Sequence, residues 1–463
     1  MTMSTSTVDK GTGTALRERP TVEYRTVQPA VAQADLAVIA QHMFALMLRN
    51  VSSDGYAFTD PTDPSQFSRP GCIIASPSYH ASFPVVDQDY VFNWTRDAAV
   101  TAVELAAAEL PTSQPLIDYV TFAQTCQNSG PPIGYASFTI EGRHRPNWSE
   151  QSDGPALQTL AILQIYRELD ATAQAVARAV IATDIGYLLA VYQQPTRSLW
   201  EERDGYSFFA RAVQLRCFSE LAGNSLGIPV PPGVAEAIGW LQARLAEHWN
   251  SSENIYVTFG GPAGTTNPPL TPGYDPNVDI VMACIYGAIP PTDTRMLATA
   301  ARIRSQWTDP ASTFAYPINA ADLPRGVGPL MGRYPDDHYD GDGAPPNDVG
   351  HPWVPCTANF AELYYRLATT IRAQQTVPLD AVSAAFFTPL GIDNTTPAGN
   401  AADLLDAAGD QMLAALIFHS DRLELSEQFD RTTGFEKSVA NLTWSYAAFL
   451  SAVRARTGTV VHG

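Results

Sequence analysis

The sequence predicts an all-α protein in which six inner helices are ringed by six outer ones. From about residue 31 onward, apolar residues recur at helical spacing in about twelve segments, and no convincing run of alternating strand residues interrupts them. Every second segment is entered through a loop rich in tryptophan, tyrosine, arginine and carboxylate. Because short connections favour helices that alternate in direction, we expect those loops to lie together at one end of the molecule.

The helical segments follow a polar N-terminal stretch. Residues 1–30 are rich in threonine, so we expect a flexible arm there and a single domain over residues 31–463. Helix ends predicted from spacing hold to within about 2 to 4 residues. The predicted helices cover residues 33–50, 94–110, 113–128, 153–169, 171–193, 207–222, 232–249, 279–287, 293–306, 355–373, 402–419 and 441–457.

The composition limits the class of protein. With 463 residues, of which 45% are hydrophobic and 16% charged, the chain can bury a large core. The formal net charge of -19 argues against nucleic acid or an anionic membrane surface as a partner, because neither would be attracted to it. A neutral small molecule or a glycan fits this charge better. The sequence leaves the oligomeric state open.

Several common signals are missing from the sequence. The first thirty residues contain no apolar core of a secretory signal, and no uninterrupted apolar run approaches the ~18 residues of a membrane helix, so we expect a cytoplasmic location. The five cysteines are odd in number and none form a C-x-x-C pair, which indicates neither a disulfide framework nor a zinc site. Without a P-loop, G-x-G-x-x-G or G-x-S-x-G motif, no cofactor is predicted.

A candidate proton donor lies in residues 198–211. Glu201 and Glu202 follow Trp200 and lead into an apolar run that suits the buried face of a helix. Apolar surroundings disfavour an ionised carboxyl and raise its pKa, as a general acid working near neutrality requires. The alternative is an acidic first turn that faces the positive end of the helix dipole.

A second carboxyl near the other end of the chain strengthens the first interpretation. Glu427 lies in residues 425–430, and the aromatic stretch 441–446 follows it. Together the two stretches suggest that the fold brings two carboxyls to one site.

Long connections are expected to wall that site. Residues 51–93, 251–278 and 307–352 are rich in proline, glycine, aspartate and serine, and loops of this length in a compact protein usually carry function. The clustered oxygens of residues 336–343, from Asp336 through Asp342, raise the possibility of calcium. This stretch lacks the ligand order and terminal glutamate of an EF-hand, so we favour a solvated acidic loop and predict no metal site.

Several blocks of sequence resemble one known family. They occur in the family's order and at about its spacing from about residue 70 to 455, which covers most of the chain. The blocks are residues 74–78, 90–97 (Y-x-x-x-W-T-R-D), 153–157, 199–202, 332–335, 352–353, 426–430 and 442–446. This pattern is similar to glycoside hydrolase family 15, the glucoamylases.

The resemblance implies an (α/α)6 barrel and an inverting exo-hydrolase that takes glucose units from the non-reducing ends of α-glucans. Glu201 would protonate the glycosidic oxygen, and Glu427 would activate water as the general base. Inversion requires one protonated and one ionised carboxyl on opposite sides of the sugar, with room for water between them.

The resemblance also assigns binding residues. Arg96 and Asp97 would hold the hydroxyls of the innermost glucose, with Arg333 helping. Charged side chains give directional hydrogen bonds to hydroxyls, and tryptophan and tyrosine rings stack on the apolar face of a sugar. The further predicted pocket residues are Tyr90 beside the base, Trp94, Trp148, Trp200 and Glu202, whereas Trp444 is expected mainly to pack.

Each binding residue has an ordinary structural alternative. Arg96 and Asp97 could form an ion pair at a helix start, Arg333 could pair with Asp337, and the tryptophans could be core. These structural roles do not explain why all of these residues occur at alternate helices.

The sequence departs from the family pattern at two places on the expected leaving-group side. Residues 143–153 hold one residue fewer between Trp148 and Asp153 than the family pattern, and the loop over residues 336–352 is longer than usual. A preference for α-1,6 linkages therefore stays open beside the α-1,4 prediction. Two less favoured functions are a glycoside phosphorylase and a non-catalytic sugar-binding protein, and the presence of both carboxyls argues against each.

Overall fold

The structure is a computed structural model that describes residues 29–61, 63–77, 89–145, 148, 150–261, 266–339 and 350–463, with side chains from Leu36 onward. The flexible arm predicted for residues 1–30 lies outside the described residues except for its last two, with which the first helix begins.

The described residues form fourteen α-helices, and the predicted all-α class is confirmed. The twelve predicted segments are all helical, and two short helices, α10 and α12, were not predicted because they are too short to show a period. The helices are α1 (Pro29–Leu48), α2 (Thr95–Ala107), α3 (Gln114–Gln127), α4 (Asp153–Ile165), α5 (Ala171–Val191), α6 (Phe208–Ala222), α7 (Val234–Leu245), α8 (Asp279–Ile285), α9 (Thr294–Thr308), α10 (Pro317–Asp322), α11 (Val354–Gln374), α12 (Ala384–Phe387), α13 (Ala398–His419) and α14 (Thr443–Thr457).

Six of these helices form a closed inner ring. In ring order, α2 packs against α4, α4 against α6, α6 against α8, α8 against α11, α11 against α14, and α14 against α2. The outer helices α1, α3, α5, α7, α9 and α13 pack around this ring. The arrangement is the predicted (α/α)6 barrel, and the inner helices are the ones that the aromatic and acidic loops precede.

The packing follows from the sequence of each helix. All seven residues of α8 and nearly all of α4 are buried, as expected for helices that neighbours surround on every side. The outer helix α9 buries one stripe instead, which includes Met296, Ala300, Ile303 and Trp307 at helical spacing. All five cysteines are buried and have free thiols.

Helix α5 meets the length and mean hydropathy of a membrane span, alone among the helices of the described ranges. It carries Arg178 and Asp184, and it packs against α3 and α4. The buried carboxylate of Asp184 accepts hydrogen bonds from Gln127 (2.7 Å) and from Gln158 (3.0 Å) on those neighbours. These contacts are those of a helix in the outer layer of the barrel, where α5 packs against its neighbours.

Short antiparallel strand pairs fix the loops between helices. β1 pairs with β2, β3 with β4, β4 with β7, β5 with β6, and β8 with β9. Strand β1 runs directly into α2 and β4 directly into α6, so these pairs set where the inner helices begin. The strands are β1 (Asn93–Trp94), β2 (Ser137–Phe138), β3 (Thr196–Arg197), β4 (Asp204–Ser207), β5 (Trp249–Asn250), β6 (Ile255–Tyr256), β7 (Phe259–Gly260), β8 (Gln428–Phe429) and β9 (Glu436–Lys437).

Candidate active site

A cavity of about 530 Å³ lies at the end of the barrel where the inner helices begin. The ten residues singled out from the sequence all line it, together with side chains from neighbouring loops. The lining residues are Ala75, Asp89, Tyr90, Trp94, Arg96, Asp97, Trp148, Leu199, Trp200, Glu201, Glu202, Arg333, Tyr339, Trp353, Glu427, Leu442 and Trp444.

Glu201 lies in the tight turn between β3 and β4. Its backbone has φ of 65°, a conformation uncommon for any residue but glycine, and its N–H donates to the Ser198 carbonyl at 3.0 Å. The carboxylate accepts a hydrogen bond from Arg96 Nη2 at 2.7 Å. Burial raises the pKa of Glu201 to about 7, and the Arg96 guanidinium opposes that shift.

Glu427 immediately precedes β8, and its backbone is held on both sides. Its N–H donates to the Val439 carbonyl at 2.9 Å, and its own carbonyl accepts from the N–H of Val354, the first residue of α11, at 3.0 Å. The carboxylate accepts from the Ser438 hydroxyl at 2.5 Å and from the Tyr90 hydroxyl at 3.2 Å. Burial raises the pKa of Glu427 to about 7 against the effect of these donors.

The two carboxyls differ in surroundings although burial raises both pKa values. Hydroxyl donors at Glu427 favour its ionised form, and a hydroxyl can turn to follow either protonation state. The negative charges of Asp97 and Asp153 favour a proton on Glu201. They therefore oppose the effect of the Arg96 guanidinium, which favours the ionised carboxyl. One protonated and one ionised carboxyl near neutrality is the state that acid and base catalysis needs.

Arg96 and Asp97 occupy the first turn of α2. Arg96 pairs with Asp153, the first residue of α4, through Nη1 at 3.0 Å as well as with Glu201. The guanidinium therefore binds these two carboxylates and does not form the alternative ion pair with Asp97 at the helix start. Asp97 lines the cavity, and burial raises its pKa to about 6.

Arg333 lies at the wall of the cavity and is almost fully buried. Its Nε donates to Asp337 at 2.8 Å, which is the structural alternative considered from the sequence, and its Nη2 lies 2.8 Å from Glu202 Oε1. The Tyr334 hydroxyl donates to the other oxygen of Glu202 at 2.6 Å. The guanidinium carbon lies 4.9 Å from the centre of the Trp353 ring. Arg333 thus ties a carboxylate and a stacking ring into one wall.

Tryptophans form much of the remaining surface. Trp94 meets Trp148 edge to face, with 4.8 Å between ring centres. Trp200 lies 5.6 Å from Trp353 and 6.3 Å from Trp444, and its indole N–H donates to the Asn277 side chain at 2.9 Å. Trp444, expected mainly to pack, also lines the cavity.

The structure adds residues that sequence reasoning did not place at the site. Ser438 follows Glu427 by eleven positions in a polar loop, where no spacing signals a role. Tyr339 lines the cavity, and its hydroxyl lies 2.5 Å from that of Tyr90. Trp353 and Asp153 stood within the matched blocks, so those blocks could have marked them.

The acidic stretch considered for calcium is described only up to Tyr339, and the rest of it lies outside the described residues. Its Asp337 is buried in the pair with Arg333. Within the described ranges, no group of three or more histidine, cysteine, aspartate or glutamate side chains is arranged to hold a metal ion.

Comparisons with known proteins identify the family of this chain. The family model of glycosyl hydrolases family 15 matches residues 45–454. Glucoamylase 1 of Rhizopus oryzae is 28% identical, covering 82% of this chain and 66% of its own length. Glucoamylase P of Amorphotheca resinae is 29% identical over 89% of this chain and 68% of its own length. The chain therefore spans about two thirds of the length of these two relatives.

Solved structures share the fold. The family 15 glucoamylase from Hypocrea jecorina superposes with a TM-score of 0.75 at 24% identity, covering 93% of this chain and 73% of its own. The glucoamylase from Saccharomycopsis fibuligera gives 0.74 at 21% identity, covering 94% and 96%. Since the family model spans most of the sequence, the chain belongs to glycosyl hydrolases family 15.

Proposed function

We propose that this protein is an inverting, exo-acting α-glucoside hydrolase that releases β-D-glucose from the non-reducing ends of α-1,4-linked glucans or maltooligosaccharides. The observation that carries the proposal is the pair Glu201 and Glu427 on one buried cavity, one bonded to an arginine and the other to two hydroxyls. Membership in family 15 and relatives named glucoamylase support the same activity.

In the proposed reaction the two carboxyls act from opposite sides of the sugar. Glu201 gives its proton to the glycosidic oxygen as the bond to the anomeric carbon breaks. Glu427 takes a proton from the water that attacks the same carbon, so the configuration inverts. The raised pKa of Glu201, about 7, suits an acid that must stay protonated near neutrality.

The cavity supports recognition of a chain end. Its volume of about 530 Å³ suits a small ligand better than the length of a polymer. Arg96, Asp97 and Arg333 present charged groups to it, which can bind the hydroxyls of a terminal glucose. Trp94 and Trp200 offer rings for the apolar face of the sugar.

The glucan is the only partner we propose. A net charge of -19 disfavours nucleic acid and anionic membranes, and a cytoplasmic location is proposed on the sequence alone. Cell fractionation with an antibody to the protein tests the location.

A preference for α-1,6 linkages is the second candidate. It is favoured by the altered segment around Trp148, because this residue lines the cavity and packs on Trp94 where the next sugar would lie. The first candidate predicts faster hydrolysis of maltose than of isomaltose, and the second predicts the reverse.

Product analysis tests the proposal directly. The protein is incubated with maltose, isomaltose and maltoheptaose, with and without phosphate, and the released sugars are identified by chromatography. Glucose as the first product in all buffers supports hydrolysis. Glucose 1-phosphate that appears only with phosphate would indicate a phosphorylase, and binding without turnover would indicate a sugar-binding protein.

A further inference from the structure

Arg96 is held at both ends of its guanidinium by different parts of the chain. At one end Nη1 donates to Asp153 at 3.0 Å and to the Gln151 side-chain oxygen at 3.2 Å. At the other end Nη2 donates to Glu201 at 2.7 Å. Arg96, Gln151 and Asp153 are all more than nine-tenths buried, so water screens this chain of contacts little. The groups that accept hydrogen bonds from Nη1 therefore affect how strongly Nη2 binds Glu201.

The contact between Arg96 and Glu201 opposes acid catalysis. A bound guanidinium favours the ionised carboxyl, whereas a general acid must carry a proton. Asp153 counters this effect because it shares the same guanidinium. Two buried atoms of the Arg96–Asp153 pair, Nε and Oδ1, make no hydrogen bond with the described residues. Asp153 can therefore form a further hydrogen bond with the guanidinium when Glu201 is protonated.

The charged groups with the largest effect on Glu201 come from two inner helices, and Glu202 and Glu427 line the same cavity. Helix α2 supplies Arg96 and Asp97, and helix α4 supplies Asp153. Asp97 lines the cavity, where a bound sugar would meet it. Asp153 and Gln151 are not among the described residues that line the cavity, so they reach the reaction only through Arg96.

We propose that Asp153 and Gln151 are positioning residues of the reaction: they hold Nη1 of Arg96, and the charge on Asp153 sets how firmly Arg96 binds Glu201 and hence whether Glu201 keeps its proton. The inference rests on the proposed role of Glu201 as general acid. The effect of charge at Nη1 on the protonation of Glu201 has a definite direction. Added negative charge at the Nη1 end keeps the proton on Glu201, and removed negative charge favours its loss.

Two isosteric substitutions test the sign in opposite directions. Asp153→Asn removes a negative charge, so the high-pH limb of kcat/KM should move down by about 0.5 to 1 pH unit, and Gln151→Glu should move it up by a similar amount. The double variant exchanges carboxylate and amide around one guanidinium, and it should bring the limb back toward the wild-type position. A merely structural role would not give opposite shifts that cancel.

A matched control separates charge from packing. The Gln151 amide also donates to the Ser198 carbonyl at 2.9 Å, and Ser198 begins the turn that holds Glu201. Gln151→Glu loses that bond, keeps an acceptor for Arg96 Nη1 and gains a charge, whereas Gln151→Leu loses both the bond to Ser198 and the contact with Arg96 and gains no charge. The leucine variant should therefore show no upward shift of the limb. An equal upward shift in both variants would overturn the role of charge.

A measurement without substrate keeps this inference separate from the proposed function. Carboxyl-carbon NMR of protein labelled at glutamate, with the Glu201 signal assigned from Glu201→Gln, follows the titration of Glu201 in the resting protein. We expect the midpoint to fall in Asp153→Asn and to rise in Gln151→Glu. Unchanged midpoints in both variants would overturn the inference even if the wild type hydrolyses glucans. Shifted midpoints in a protein without glucan hydrolysis would refute only the proposed function.

Discussion

The Ser438 hydroxyl donates a hydrogen bond to Glu427 across 2.5 Å, and the side-chain oxygen of Glu427 that accepts it also accepts from Tyr90 at 3.2 Å. The position of Ser438 matters because burial alone would push a proton onto Glu427. A base must be ionised before it can activate water. The serine therefore helps to keep the proposed base in its working form.

Replacing Ser438 by alanine should move the low-pH limb of activity. The lost hydrogen bond stabilised the ionised carboxyl, so the pKa of Glu427 should rise by about one unit. Activity is lost as pH falls through that pKa, and the low-pH limb of kcat/KM should therefore move to higher pH. The high-pH limb, set by Glu201, serves as the internal control and should stay in place. A low-pH limb that does not move would show that Ser438 has no part in setting the charge of Glu427.

The wild-type pH profile should be narrow. Burial raises the pKa of Glu201 and that of Glu427 each to about 7. Glu427 must lose its proton and Glu201 must keep its own, so kcat/KM should fall on both sides of neutrality. Initial rates on maltose from pH 4 to pH 9 measure this. A broad plateau across several pH units would contradict the raised pKa values.

Substitution of either proposed catalytic carboxyl should remove most turnover. Glu201→Gln and Glu427→Gln should each lower kcat by ~10² to 10⁴ with little change in thermal unfolding. Glu202→Gln is the matched control, because Glu202 holds Arg333 and Tyr334 rather than reacting. It should raise KM more than it lowers kcat. Near-normal kcat in either catalytic variant would end that assignment.

The stereochemistry of the first product tests the role of Glu427. Water activated on the side opposite the leaving group yields the β-anomer of glucose from an α-linked substrate. Proton NMR in the opening minutes of maltose hydrolysis distinguishes the anomers before they equilibrate. An initial α-anomer would falsify the inverting mechanism.

Chain-length dependence tests the leaving-group side. Trp148 packs edge to face on Trp94 at the cavity wall, in a segment altered from the family pattern. We expect no gain in kcat/KM as α-1,4 chains lengthen beyond a few units, and Trp148→Ala should lower kcat/KM on maltose by about 10-fold or more. Rates from maltose through maltoheptaose provide the measurement. A steady rise with length would indicate an extended array of sugar sites instead.

A buried carboxyl pair outside the cavity makes stability depend on pH. The Thr258 hydroxyl lies 3.0 Å from Asp275 and 3.1 Å from Asp279, but it has one proton and can donate to only one of them. The other contact needs a proton on a carboxyl, and burial raises the pKa of Asp279 well above its usual value. The folded state therefore holds a proton that the unfolded chain releases above about pH 4. The stabilisation is complete below that pH and is lost as pH rises toward the folded-state pKa.

Asp279→Asn should lessen that loss, because an amide can donate to Thr258 as the protonated acid does. At pH 8 the variant should unfold about 1 to 3 °C above the wild type, and the difference should shrink as the pH is lowered. Asp275→Asn is the comparison. Asp275 already accepts a hydrogen bond from the Thr258 N–H at 3.0 Å, so this variant should be less stable than the wild type. Scanning calorimetry at pH 5 and pH 8 measures both. A variant Asp279→Asn that is less stable than wild type at pH 8 would refute the proton on Asp279.

The sequence by itself determined the barrel and most of the cavity wall. Helical periodicity is a local property, so the spacing of apolar residues placed twelve of the fourteen helices of the described residues, and the aromatic and acidic loops marked the inner ones. Local signals failed for α10 and α12, which span only six and four residues. They also could not show that Ser438 faces Glu427, because irregular loops have no period from which a direction can be predicted.

Only the tertiary structure decided which charges meet. Arg96 joins Glu201 across 105 positions, and Tyr90 joins Glu427 across 337. Such contacts depend on how loops that precede five different inner helices close over one cavity, and no property of a short segment contains that information. The pKa values follow the same rule, since burial and distant partners set them. The sequence could name the two carboxyls, but their protonation depends on neighbours that folding alone brings together.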